Sequence, residues 1–205
     1  MVNMSKDTEK HILRTARRQF VKNGFAATRM QQIADDAGIN KAMLHYYFRS
    51  KEKLYREIIV TTLDAIIPKL AKAINAEGTF WERLETLVEA YLDTFIEEPD
   101  TPLFIFSELS QKRTQFIDEL KKRVLFFPAI KGFVGQMSAE MQAGNIREMN
   151  PMHLLLNVIS MTVFPFIARP VFQTIFEFSD AGFELMMKER KTIILDFLKN
   201  ALRVD

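Results

Sequence analysis

The 205-residue chain has no cysteine, only seven glycines and seven prolines, three histidines and a single tryptophan. Without cysteine there is no disulfide, thiolate metal site or thiol redox switch within it, and the composition suits a reducing cytoplasm. So few glycines and prolines do not furnish the turns of a loop-rich all-β protein, and alternating β-branched runs are missing. Every periodic stretch has the helical period, so the expected fold class is all-α. The amino terminus, MVNMSKDTEKH, lacks the apolar segment of a secretory signal. The most apolar run, residues 154–168, is interrupted by Asn157, Ser160, Thr162 and Pro165. It is too short and too polar to span a bilayer, and no membrane partner is expected. H-E-x-x-H, G-x-G-x-x-G, Walker-type loops and Glu-x-x-His pairs are all missing, so neither an enzyme nor a cofactor is expected. His11, His45 and His153 fall in three different expected helices, which argues against a metal site.

What the chain does have is hydrophobic content, 48% of its residues, enough for a sizeable core in one or two domains. Its net charge of +2 hides a split. Residues 1–60 hold twelve Lys/Arg against six Asp/Glu, whereas residues 61–205 hold sixteen against twenty. Positive charge confined to one end points to a polyanion bound there.

The stretch TRMQQIADDAGINKAMLHYYF, residues 28–48, reads as two short helices joined by a tight turn. Thr28 and Gln31 have the spacing of a capping box. Ile33, Ala34 and Ala37 give the first helix a small apolar face. Gly38 can take the positive φ at which a helix stops abruptly, and Asn40 is a preferred cap for the next. Leu44 and Phe48, one turn apart, form the inner face of that second helix. A small residue four before the glycine and a branched aliphatic six after it is what two steeply crossing helices require, a helix-turn-helix. With Leu44 and Phe48 buried, Asn40, Lys41, Ala42, His45 and Tyr46 face outward, with Tyr47 at the edge. Such a cluster also occurs on merely solvated helices. Its place behind A-x-x-x-G and before the basic RSKEK segment favours a helix that reads a DNA major groove. Ser50 caps a fourth helix, over about residues 51–75, with Pro68 as an expected kink. Lys51 at its start is expected to anchor a phosphate by backbone N–H groups, dipole and charge together. The first helix, about residues 8–23, presents Ile12, Leu13, Ala16, Phe20 and Val21 as one stripe and ends at Asn23-Gly24, so that Phe25 folds back on it.

From Ile12 to Leu54 these features in combination closely resemble the TetR family of transcriptional regulators. The carrying elements are Ala16 and Phe20, NGF, Thr28, IA, AGI, LHYYF and SKEKL, about a quarter of the chain. The family more often has Tyr where His45 stands, and often Gly in place of Ala42. The resemblance implies base or phosphate contacts from Thr28, Asn40, Lys41, Ala42, His45, Tyr46, Tyr47 and Lys51. It also implies an N-terminal three-helix helix-turn-helix domain, residues 1–50, joined by a long helix to a larger helical effector-binding and dimerisation domain, residues 51–205.

The remainder reads as a helical body. Thr79 and Glu82 form a second capping box, and Thr101-Pro102 and Asn150-Pro151 each pair a cap with proline at the first helical position. The helix opening MHLLLNVISMTVFPFIA is apolar nearly all round, and the last helix, about residues 180–203, has a wide apolar stripe. Both need a partner, and pairing with the same helices of a second copy, in a homodimer, is expected. Many of the 18 Phe and 11 Met lie between residues 100 and 180, where Pro128, Pro165 and Pro170 interrupt helices. A cavity for a small apolar effector is expected there, with Phe104, Phe106, Phe127, Phe133, Met137, Phe164 and Phe166 as candidate lining. Together these features describe a homodimeric repressor that binds a pseudo-palindromic double-stranded DNA operator and responds to that effector through the fourth helix. The alternative is a helical ligand-carrying or protein-interaction module, against which the localised charge argues.

Overall fold

The computed structural model describes residues 2–111, 114–123 and 126–204, with side chains from residue 7 onward except those of Phe126 and Phe127. Among the described residues there are eleven α-helices and no strand. In order they are α1 (Val2–Ala27), α2 (Met30–Asp36), α3 (Lys41–Tyr47), α4 (Lys51–Ile74), α5 (Phe80–Glu97) and α6 (Thr101–Ser110). Then follow α7 (Thr114–Lys121), α8 (Phe126–Gln142), α9 (Pro151–Ile167), α10 (Arg169–Ile175) and α11 (Asp180–Ala201). They form two compact units, one of residues 1–64 with 103–122, the other of 65–102 with 123–205.

In the first unit Ile12, Ala16, Phe20, Ile33, Ala34, Leu44 and Phe48 are buried together, as their spacing requires. α1 breaks at Gly24, whose φ of +76° lets the chain turn back. Phe25 then stacks on Phe20 with ring centroids 5.8 Å apart and meets Tyr55 at 4.8 Å. A three-helix head of about fifty residues is marginal by itself. Here it is completed by the start of α4 and by α6–α7. Leu54, Tyr55, Ile58 and Ile59 are buried, and the Tyr55 hydroxyl bonds the buried Glu108 carboxylate of α6. Glu119 of α7 pairs with Arg56 at 3.2 Å and with Lys122 at 2.8 Å. Packing thus groups the first turns of α4 with the head, whereas the sequence-based division at residue 50 separates them.

α4 continues through Pro68. That ring cannot donate to the carbonyl of Asp64, and the boundary between the units falls at the same turn, between residues 64 and 65.

In the second unit α5 is flanked by α9, α11 and α8. The Thr79–Glu82 capping box is formed, and Asn150 caps α9 by accepting from the Met152 N–H at 2.9 Å. Arg83 of α5 closes the end of α4, its Nε donating to the Ile74 carbonyl at 2.9 Å. Lys191 of α11 pairs with Glu89 and, at 3.5 Å, with Glu85 of α5. Pro165 has no N–H to offer the carbonyl one turn earlier, that of Met161. Arg190 of α11 fills the gap, its Nε donating to that oxygen at 2.8 Å. α9 ends at Ala168, and the chain bends by 56° into α10, a separate short helix that the sequence pattern does not distinguish from its neighbours. Among the described residues no single helix is long and apolar enough to cross a membrane.

Candidate nucleic-acid interface

The turn between α2 and α3 is made as its residues demand. Gly38 has a φ of +65°, and its N–H donates to the Asp35 carbonyl at 3.1 Å. The Ile39 N–H reaches the Ala34 carbonyl at 3.0 Å, closing α2 across the glycine. Asn40 caps α3, its Oδ1 accepting from the Met43 N–H at 2.7 Å. Leu44 is fully buried and Phe48 nearly so, which fixes the face that α3 turns outward.

That face carries Lys41, Ala42, His45 and Tyr46, all exposed, with Tyr46 at 82%. Tyr47 is half-buried and meets the Tyr46 ring edge-on at 5.5 Å. His45 Nδ1 lies 3.3 Å from the Arg49 carbonyl, so one ring nitrogen is engaged locally. Met43 is also exposed on this helix, and Arg29 is exposed just ahead of α2. Neither figures in the pattern of the sequence, Met43 because it reads as apolar core and Arg29 because it precedes the first helical residue.

Two residues differ from expectation. Thr28 does not cap α2: the N-cap position is Arg29, with no side-chain bond. The Thr28 side chain is buried instead. Its hydroxyl donates to the Gly24 carbonyl at 2.8 Å, with that of Gln19 at 3.2 Å, because the kink at Gly24 leaves α1 carbonyls in need of donors. Gln31, the other half of the expected box, bonds Asp35 at 2.8 Å. Lys51 turns inward too. Its ammonium donates to the carbonyls of Phe25 at 2.9 Å, Thr28 at 3.1 Å and Ala26 at 3.4 Å, and lies 4.5 Å from the centre of the Phe25 ring. An ammonium has three protons, and here three acceptors and a ring face meet them. At the start of α4 the Ser50 hydroxyl accepts from the Lys53 N–H at 3.2 Å.

The seven candidate effector residues are divided between the two units. Phe104 and Phe106 belong to the first unit, with Phe104 buried against Tyr55 at 6.4 Å and Phe106 53% exposed. Phe133 is buried in the second unit, stacked on Phe80 at 6.2 Å under the Arg83 guanidinium. Met137 is buried, Phe164 is 58% exposed, and Phe166 is buried between Phe95 and Phe183. The side chain of Phe127 lies outside the described residues. Among the described residues no ring pair joins two of the seven, and Phe166 lines a cavity with Ile96, Phe183 and Met187.

Residues 12–58 match the sequence profile described as "Bacterial regulatory proteins, tetR family". Over 121 residues, 59% of this chain, the sequence is 29% identical to the uncharacterized HTH-type transcriptional regulator YhgD of Bacillus subtilis, of which it spans 63%. In fold it is similar to the ketosteroid transcriptional regulator KstR2 of Mycobacterium tuberculosis, with a TM-score of 0.72 at 18% identity over 96% of this chain and 95% of that one. It is also similar to AibR, solved in complex with isovaleryl coenzyme A and operator DNA. There the TM-score is 0.65 at 17% identity, over 93% of this chain and 97% of that one. The glycine-cornered α2–α3 pair, the outward face of α3 and the start of α4 all fall within the matched residues, and this helix-turn-helix segment belongs to the TetR family of transcriptional regulators.

Proposed function

We propose that the protein is a ligand-responsive repressor that binds a pseudo-palindromic operator as a homodimer. The observation that carries this reading is the outer face of α3. A helix whose inner face is fixed by Leu44 and Phe48 presents Lys41, His45 and Tyr46 to solvent, a cation and groups able to meet base edges in a major groove. Residues 1–50 are the reading head, and Asn40, Lys41, Ala42, His45, Tyr46 and Tyr47 form its contact surface. The phosphate anchor at α4 is its backbone amino end, while the Lys51 ammonium is engaged inside the unit.

Residues 51–205 serve for dimerisation and effector binding. α9 leaves Leu156 and Phe164 exposed, and α11 leaves Leu185, Ile193 and Phe197 exposed, at helical spacings. Large apolar side chains bared on two adjacent helices favour a second copy as their cover. That a neighbour of the same fold, AibR, was solved in complex with isovaleryl coenzyme A and operator DNA supports an effector acting on DNA binding, here a small, largely apolar one. α4 belongs to both units by chain connectivity and is one of three covalent routes between them. An effector alters operator affinity only by binding the free and DNA-bound conformations differently.

Selecting sequences from random DNA and measuring their affinity by fluorescence anisotropy tests the reading. A palindromic consensus bound by a dimer supports it. Weak binding independent of sequence would overturn it.

A further inference from the structure

A cavity of about 70 Å³ lies in the second unit, where α9 ends and α10 begins. Ile96 of α5, Phe166 of α9, and Phe183 and Met187 of α11 give it an apolar wall. Into this wall is set one cation, Arg169, the first residue of α10. Its side chain is 19% exposed, and its guanidinium lies over the Phe183 ring, 5.3 Å from the centre.

The hydrogen bonding of Arg169 is incomplete. The Nε and Nη2 protons form one edge of the guanidinium fork, shaped for the two oxygens of a carboxylate. Asp180 takes only half of that edge, accepting from Nη2 at 2.6 Å. Nε is buried and has no acceptor in the protein. Leaving a buried donor on a charged group unsatisfied is costly, so the site favours any anion that can take both protons. Asp180 is a replaceable partner. Its side chain is 83% exposed, and it also accepts from Gln173 Nε2 at 2.6 Å. If displaced, it returns to water with little desolvation to undo. The other carboxylate on the rim, Glu184, is already paired with Lys188 at 2.6 Å.

We propose that this cavity binds a small monocarboxylate with a short apolar tail. Its carboxylate exchanges for that of Asp180 and meets Nε and Nη2 together, while the tail enters among Phe166, Phe183 and Met187. Since liquid water occupies roughly 30 Å³ per molecule, the cavity accommodates a carboxylate and about two carbons, and the adaptable Met187 must turn for a longer tail. The exchange ties the ligand to the first turn of α11, which carries Asp180, and α11 is one of the helices assigned to the dimer. The binding site stands without the DNA-binding reading, whereas a regulatory effect of the ligand rests on it.

Butyrate is the probe, titrated into the full chain without DNA and followed by ligand-observed NMR, with neutral butyramide as its isostere. Saturable butyrate binding is expected, with butyramide about tenfold weaker. R169Q is expected to weaken butyrate about tenfold and leave butyramide unchanged. D180N removes the competing carboxylate and is expected to strengthen butyrate about threefold, a direction that general damage to the fold would not produce. Equal affinity for butyrate and butyramide in the natural sequence would overturn the proposal even if R169Q failed to fold, and so would weaker binding by D180N. In a separate anisotropy measurement, failure to bind any DNA sequence would remove the regulatory reading and leave the carboxylate site standing.

Discussion

The Lys51 ammonium lies 4.5 Å from the centre of the Phe25 ring and donates to the Phe25 carbonyl at 2.9 Å, so the first residue of α4 clasps the frayed end of α1. With Thr28 it satisfies the carbonyls that the Gly24 kink releases. Replacing Lys51 by methionine is expected to lower the unfolding free energy by about 1–3 kcal/mol, measured by urea denaturation. The salt dependence of DNA affinity should hardly change, since the ammonium is not free to neutralise a phosphate. A slope shallower by about one unit would show that it does.

Lys41 and Tyr46 should behave differently. Both are exposed, so alanine at either leaves the denaturation midpoint in place. Lys41→Ala is expected to weaken all sequences alike and reduce the salt slope by about one. Tyr46→Ala is expected to cost about 1–3 kcal/mol on the preferred operator and less on others. Identical behaviour of the two variants in anisotropy titrations would contradict the assignment of α3 as a reading helix.

Arg190 and Pro165 form a testable pair. Arg190→Met orphans the Met161 carbonyl and is expected to destabilise by about 1–3 kcal/mol. Pro165→Ala restores an N–H one turn from that carbonyl. In the double variant much of the loss should therefore disappear. A double-mutant cycle by urea denaturation measures the coupling, and simple additivity would mean that the two do not share the Met161 oxygen.

The Glu119 carboxyl is held below the usual carboxylate range, first by the hydrogen bond from Lys122 and then by the charges of Lys122 and Arg56, with burial opposing. A lowered folded pKa gives stability that is complete above the unfolded value and lost as pH falls through the folded one. Glu119→Gln is therefore expected to cost about 1 kcal/mol at neutral pH, modest because Arg56 and Lys122 are largely exposed. The difference from the natural sequence should shrink below about pH 4. A gap that stays constant to lower pH would show that the charge of Glu119 is not what stabilises.

Phe197 is 59% exposed on α11. A charge there costs little in a monomer and a great deal in an apolar interface. Phe197→Glu is expected to shift the protein to monomers in sedimentation analysis and to abolish operator binding with its helix content intact. A dimer that survives this change, or a natural chain that sediments as a monomer, would remove α11 from the interface.

The head was legible from sequence because its determinants are local. The burial of Ile33 and Leu44, the positive φ of Gly38 and the cap at Asn40 each follow from residue type and spacing within one or two turns. The same local logic places the Thr79–Glu82 box and the proline-led start of α9. It fails where a polar side chain has two possible partners. Thr28 has the spacing of a cap, but the distortion at Gly24 offers it stronger need elsewhere, and Lys51 at a helix start is drawn to the same carbonyls. For Pro165 the sequence implies an orphaned carbonyl but not the residue that serves it, because Arg190 lies 25 positions away and arrives only by packing. The aromatic residues between 100 and 180 are the extreme case. Their composition says that apolar surface is plentiful, but side chains of one chemical kind are interchangeable until the helices are placed. By itself, then, the sequence determined an all-helical chain with a helix-turn-helix at one end, through periodicity, caps and a glycine corner. Only tertiary structure decided which cations are free, which are clasps, and that Arg169 stands half-paired beside a cavity, because hydrogen-bond partners distant in sequence are chosen by three-dimensional proximity.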